Sequence, residues 1–249
     1  MKQRAFTIIV LTASVVISVG IYYGIMGQAD KDSILHTIYA GGPLVMGLIT
    51  LSLLTITYTF ERLFSLNKAQ GKGDIAKFLS TIMKSLTDGK VEDAIKACDV
   101  QRGSLANIVR SGLSRYQEIK QDNSMDKKAK IAEVKRVIEE STMLEMPILE
   151  KNLVSLSTIA SVSTMWGLLG TVLGMIRSFA ALAKSGGGVD AAQLSLGISE
   201  ALINTALGIG TSFFAIVFYN FFTTIIDGIT FSIDESGFTL TQSFASSYK

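Results

Sequence analysis

The feature that most constrains this chain is the run 191–226, in which Glu200 is the one charged residue among 36. Three similar runs precede it, at 5–26, at 37–60, and at 153–176, the last continuing past Arg177 to 183. A hydrocarbon core of about 30 Å needs about 20 apolar helical residues, so each run is long enough to cross a bilayer. Hydrophobic residues make up 48% of the chain and charged ones 18%, which argues against a single water-soluble domain. The charge is also concentrated: 17 of the 23 Lys and Arg and 14 of the 21 Asp and Glu fall within 61–151. The expected fold is therefore an all-α integral membrane protein with four spans, its long transmembrane helices extending into a cytoplasmic helical domain.

Basic residues set the orientation. Lys2 and Arg4 precede the first run, the loop QADKDS after it is short and acidic, and the second run ends in ERLFSLNKAQGKG. The side rich in Lys and Arg is the cytoplasm, which places 61–151 there. The chain divides into an N-terminal transmembrane helix (1–27), a short periplasmic loop with the second span (28–60), a cytoplasmic helical domain (61–152), a transmembrane helix pair with its periplasmic loop (153–226), and a C-terminal cytoplasmic helix or tail (227–249). Small residues in MGQAD also suit a cleavage point, so the first run reads either as a signal peptide or as a retained helix. At 22 residues it is long for the apolar region of a signal sequence, and the retained helix is adopted.

Within the polar block, Ile75, Phe78, Leu79, Ile82 and Leu86 recur at helical spacing until TDGK stops them. A short helix follows from Val91, and RGS opens another carrying Leu105, Ile108, Val109 and Leu113. From Met125 a charged amphipathic helix places Ile131, Val134 and Ile138 on one face, with Pro147 marking a kink or a helix start. If that helix continues to Ala183 it covers about 59 residues, roughly 90 Å, which would make a stalk well beyond the bilayer.

One cysteine and one histidine bound the chemistry. Cys98 reads as a small apolar residue on a helix and His36 as an interfacial side chain. The chain carries no Walker, GxSxG or HExxH motif, and the reading assigns no enzyme activity, no metal, no cofactor and no nucleic acid.

The last two runs carry small and hydroxyl residues at helical spacing: Ser157, Ser161, Thr164, Gly167, Thr171, Gly174 and Ser178, then Gly197, Ala201, Asn204, Gly208, Thr211 or Ser212, and Ala215. Close helix packing in lipid accounts for the glycines and alanines. It does not account for Glu200, since an ionisable group at such depth faces a bundle interior or a water path, where it can accept and release a proton. If the loop KSGGGVD turns near Gly187, Thr171 lies level with residues 203–204, so Glu200, Asn204, Thr205 and Thr171 share one polar layer. Arg177, nearer the loop, is expected to snorkel to the surface, with an electrostatic gate or a lipid head-group contact as alternatives.

LEKNLVSLSTIASVSTMWGLLGTVLGMIRSF followed by GISEALINTALGIGTSFFAIVFYN resembles the MotA/TolQ/ExbB proton-channel family, and within it the ExbB and TolQ branch. The resemblance covers roughly 149–228 and extends weakly to FERLFSL. It implies that Glu200 lies at the pore, that Thr171 of LLGTV and Thr205 of NTALG are its polar threonines, and that 153–226 is the pore-forming pair. It further implies a homopentamer in the bacterial inner membrane around the single helices of an ExbD- or TolR-like dimer. Proton motive force would then be passed to a TonB- or TolA-like protein for outer-membrane transport or envelope maintenance. Two features depart from the pattern: Thr164 stands where many relatives have proline, and the N-terminal run is additional. A MotA-like stator for motility and a non-conducting membrane scaffold remain as alternatives.

Overall fold

The computed structural model describes residues 2–30, 33–120, 125–184 and 191–247, and the regular structure among them is helical. Helix α1 (Lys2–Gly20) passes into a π-helical stretch, Ile21–Met26. It is followed by α2 (Ile34–Tyr39), α3 (Leu44–Gln70), α4 (Ile75–Thr87), α5 (Val91–Gln101), α6 (Gly103–Lys120), α7 (Lys127–Leu149), α8 (Leu153–Lys184) and α9 (Ala191–Ser247). Four helical stretches contain a run long and apolar enough to cross a membrane. Lys31 and Asp32 of the acidic loop, and the loop through Gly187 used to set depth, lie outside the described residues.

Two of the expected continuous helices are interrupted. The second apolar run breaks at 41–43, because Gly42 adopts φ +78° and Pro43 has no N–H with which to extend α2, so α3 starts at Leu44. The helix expected from 125 to 183 also stops, with Pro147 inside the last turn of α7 and a turn at 150–152 before α8. Asn152 holds φ +61°, a conformation asparagine tolerates better than most residues, and its Nδ2 donates to Glu61 Oε2 at 3.0 Å. The continuous helix of about 59 residues expected from the sequence is thus replaced by α7 and α8.

The chain forms two compact units, Met1–Glu61 with Asn152–Asn220 and Arg62–Lys151 with Phe221–Lys249. In the second, α4 to α7 and the last part of α9 bury Phe78, Ile82, Leu86, Ile108, Leu113, Val134 and Ile138 from among the residues marked by helical spacing, with Ile75, Leu79 and Ile131 half-buried, together with Ile233, Leu240 and Phe244. Tyr116 stacks on Phe244 with ring centroids 4.1 Å apart. Asp74 and Asp126 cap α4 and α7 through Ala76 N and Ala129 N. Two buried cations close helix C-termini: Arg62 donates to Leu149 O at 3.2 Å and Lys130 to Lys120 O at 3.2 Å. Cys98 lies in this core, where burial, reinforced by Asp99, pushes its thiol up to about 12.

The first unit buries hydroxyl groups beside apolar side chains such as Val45, Leu48 and Leu156. Ser14, Ser18, Tyr22 and Met26 form the buried line of the N-terminal helix, while Ile8, Ile9, Val16 and Ile17 face outward. Hydroxyl groups join the helices: Thr50 Oγ1 donates to Ser18 Oγ at 2.8 Å, and the Ser52 and Thr211 hydroxyls lie 2.7 Å apart. Trp166 Nε1 donates to Leu44 O at 3.0 Å, and its ring lies over Gly47, where a Cβ would approach Nε1 to 2.6 Å. Such contacts replace the hydrophobic driving force that lipid does not supply.

Candidate functional site at Glu200

Helices α8 and α9 meet along a seam of small residues. A Cβ on Gly167 would lie 2.9 Å from Asn204 O and 3.2 Å from Gly208 Cα, and one on Gly174 would lie 2.9 Å from Gly197 O. A Cβ on Gly170 would overlap the Asn204 side chain. The hydroxyl stripe expected along α8 therefore resolves into two faces. Ser163, Gly167, Gly170, Gly174 and Ser178 are buried, whereas Ser157 and Ser161 are exposed and Thr164 and Thr171 half-buried. The cause is geometric: spacings of three and four residues drift around a 3.6-residue helix, so one seam does not hold the whole list. The outer face, with Ser212, Ile216, Tyr219 and Asn220 of α9, lines a groove of about 390 Å³.

The Glu200 carboxylate bonds to the Arg177 guanidinium, through Oε1 and Nη1. The acid side chain is 15% exposed and the base 53%. Gly42 of the turn between α2 and α3 lies against the acid, and a Cβ there would overlap Glu200 Oε1. Asn204, fully buried, donates from Nδ2 to Gly41 O at 2.7 Å and to Glu200 O at 2.9 Å. It thereby ties the same turn to α9.

Of the four residues singled out in the sequence, Glu200 and Asn204 are joined directly. Thr205 borders the seam through its Cα, 3.4 Å from the position of a Gly167 Cβ, and its hydroxyl donates to Ala201 O at 3.3 Å. Thr171 follows Gly170 in the chain and donates to Leu168 O at 2.6 Å. Both threonine hydroxyls thus turn back on their own helices, and the carboxylate takes its bond from Arg177.

Arg177 corrects an expectation, because its side chain reaches Glu200 where free snorkelling is expected. The cue is present in the sequence. The turn expected near Gly187, which would set Thr171 level with residues 203–204, would also set Arg177 level with residue 197, within one helical turn of Glu200. Gly42 carries no comparable cue, being far away in sequence and brought in only by the fold. Among the described residues no cluster of three or more His, Cys, Asp or Glu is placed to hold a metal ion.

The pattern of the MotA/TolQ/ExbB proton channel family matches residues 101–235, more than half of the chain, including Arg177 and Glu200 but not the turn at Gly42. A putative biopolymer transport protein, ExbB-like 1, from Synechocystis sp. is 29% identical over 181 residues, which are 72% of this chain and 66% of that protein. The Tol-Pal system protein TolQ of Pseudomonas aeruginosa is 36% identical over 118 residues, 46% of this chain and 49% of TolQ. A putative ExbB homolog from Methanothermobacter thermautotrophicus is 26% identical over 195 residues, 78% of this chain and 64% of its own length. The chain spans about half to two thirds of the length of these relatives. With its four membrane-crossing stretches and the family pattern running through the Glu200 helix pair, the chain belongs to the MotA/TolQ/ExbB proton channel family.

Proposed function

We propose that this chain is an ExbB/TolQ-type proton-conducting motor subunit of a bacterial inner membrane. The observation that carries the reading is Glu200, a carboxylate on a membrane-crossing helix, largely enclosed and ion-paired, within the segment that matches the family. Ionisable groups at such positions are costly to insert and mark ion pathways. Five copies surround the helices of an ExbD- or TolR-like dimer, with the charged unit in the cytoplasm. Work passes to a TonB- or TolA-like protein.

In this reading Glu200 shapes the field and water of the path for a carboxylate on the partner, Thr171 and Thr205 line it, and Asn204 positions the Glu200 backbone. The hydroxyl groove at Ser157, Ser161 and Thr164 continues the path. One elementary charge falling through 100 mV releases about 2.3 kcal/mol, so a working cycle uses several protons. No covalent step is required.

The test is Glu200→Gln in the assembled complex. Proton-driven work is expected to fall to background while the complex still forms. An assembled variant with full proton-driven outer-membrane uptake would overturn the assignment.

A further inference from the structure

We infer that Arg177 is a positioning residue that latches Glu200: its guanidinium, with the turn 41–43, holds the carboxylate closed at rest, and proton passage requires Arg177 to swing outward. This rests on the reading of Glu200 as part of the proton path.

The two members of the pair differ in freedom. Glu200 is 15% exposed and Arg177 is 53% exposed, so the acid is enclosed by protein while the base already reaches outward. A guanidinium stays charged under all ordinary conditions and has a long apolar stem, which lets it exchange a protein carboxylate for water at the membrane surface. While it is bound, Glu200 is neutralised by a donor that cannot give up its proton. When Arg177 leaves for water, which accommodates its charge, the charge of Glu200 is released to act on the path. Release of the Glu200 charge and departure of Arg177 are therefore one event with two discrete arrangements.

The turn supplies the back wall. Gly42 adopts φ +78° and, having no Cβ, leaves room for Glu200 Oε1, and Arg177 Nη1 lies 3.7 Å from the position that Cβ would occupy. Both members of the pair thus border one glycine. Asn204 fixes the wall through its 2.7 Å bond to Gly41 O, and with no Cβ at Gly170 its side chain fits flat against α8. The wall lies outside the residues that match the family, so this closure is built from a part of the chain the family pattern does not cover.

The experiment uses the full chain co-purified with its single-span partner and reconstituted in liposomes, with proton entry followed by an internal pH dye under an imposed potential. Arg177→Gln is expected to raise resting proton entry about tenfold, the size of a lost charge-assisted hydrogen bond. Arg177→Lys should return it close to the parent rate. Gly42→Ala, which displaces Glu200 Oε1 from the other side, should also raise it. Flux that Glu200→Gln abolishes but that neither Arg177→Gln nor Gly42→Ala changes would sink the latch and leave the path reading standing. Flux that is absent, or indifferent to Glu200→Gln, would sink the path reading and the latch with it. If Arg177→Gln fails to assemble, Gly42→Ala alone decides between the first two outcomes.

Discussion

The two units of this chain solve the same packing problem with different materials. In the unit formed by Arg62–Lys151 and Phe221–Lys249, large apolar side chains such as Ile82, Ile108 and Leu113 are buried, and the buried charges Arg62 and Lys130 are each bonded to a helix C-terminal carbonyl. In the other unit the buried set includes Ser14, Ser18, Ser163, Asn204 and Thr211, while Ile8, Ile9, Phe213 and Phe214 face outward. The difference is the one that water around the first and lipid around the second would produce. Water drives apolar groups together. Lipid does not, so helices there associate through close backbone approach and hydrogen bonds between hydroxyls.

That contrast can be broken most severely on the water side. Leu113→Ala, at a fully buried position, should destabilise its unit by about 2–5 kcal/mol, through lost transfer energy and the cavity left behind. Labelling of Cys98 by a thiol reagent reports it. With its thiol at about 12 and only 2% exposed, Cys98 should resist the reagent in the parent protein and become accessible in the variant. Equal labelling of both would show that the core does not depend on Leu113.

On the lipid side the sensitive change is an addition. Gly167→Ala places a methyl 2.9 Å from Asn204 O and 3.2 Å from Gly208 Cα, both backbone atoms, and should destabilise the helix pair by about 1–3 kcal/mol in detergent unfolding. A variant of parental stability would mean that the seam is looser than described. Removing a hydroxyl pair should matter less. Ser52→Ala, which breaks the 2.7 Å contact with Thr211, is expected to cost about 0.6 kcal/mol, read as a small fall in Tm.

The smallest effect sharpens the role of surface charge on the water side. Arg136, through bonds of 2.7 and 2.9 Å, and then Arg115 hold the Glu133 carboxyl down at about 2, below its ordinary 4.5. Because the folded value is depressed, the stability it adds is fully present above about 4.5 and is lost as pH falls towards about 2. Glu133→Gln should remove part of the acid sensitivity of that unit, measured as Tm against pH, and leave little change in the slope of Tm between pH 5 and 8. An identical acid profile in both proteins would assign no stabilising role to the cluster.

Much of this organisation is legible in the sequence because solvent writes it there. The apolar runs announce membrane helices, and the periodic Phe78, Ile82 and Leu86 mark the buried face of α4. The capping residues Asp74 and Asp126 sit where the helix starts require them. Periodicity was less able to locate interruptions. Asn152 ends the helical path through φ +61° and a bond to Glu61, a residue 91 positions away, and no local pattern encodes such a partner. The stripe from Ser157 to Ser178 likewise reads as one face in a list of residues and divides into two on the helix.

The sequence alone determined that an acid lies in a membrane-crossing helix, that small residues surround it, and that the resemblance to a proton-channel family runs through it, because composition and short-range spacing are sufficient for each. Only the tertiary structure decided which groups meet that acid. Arg177 is its ion-pair partner and Gly42 its back wall, while the hydroxyls of Thr171 and Thr205 bond elsewhere. The reason is physical: a burial preference is a property of one residue against its solvent, whereas an ion pair is a property of two residues whose distance the fold sets.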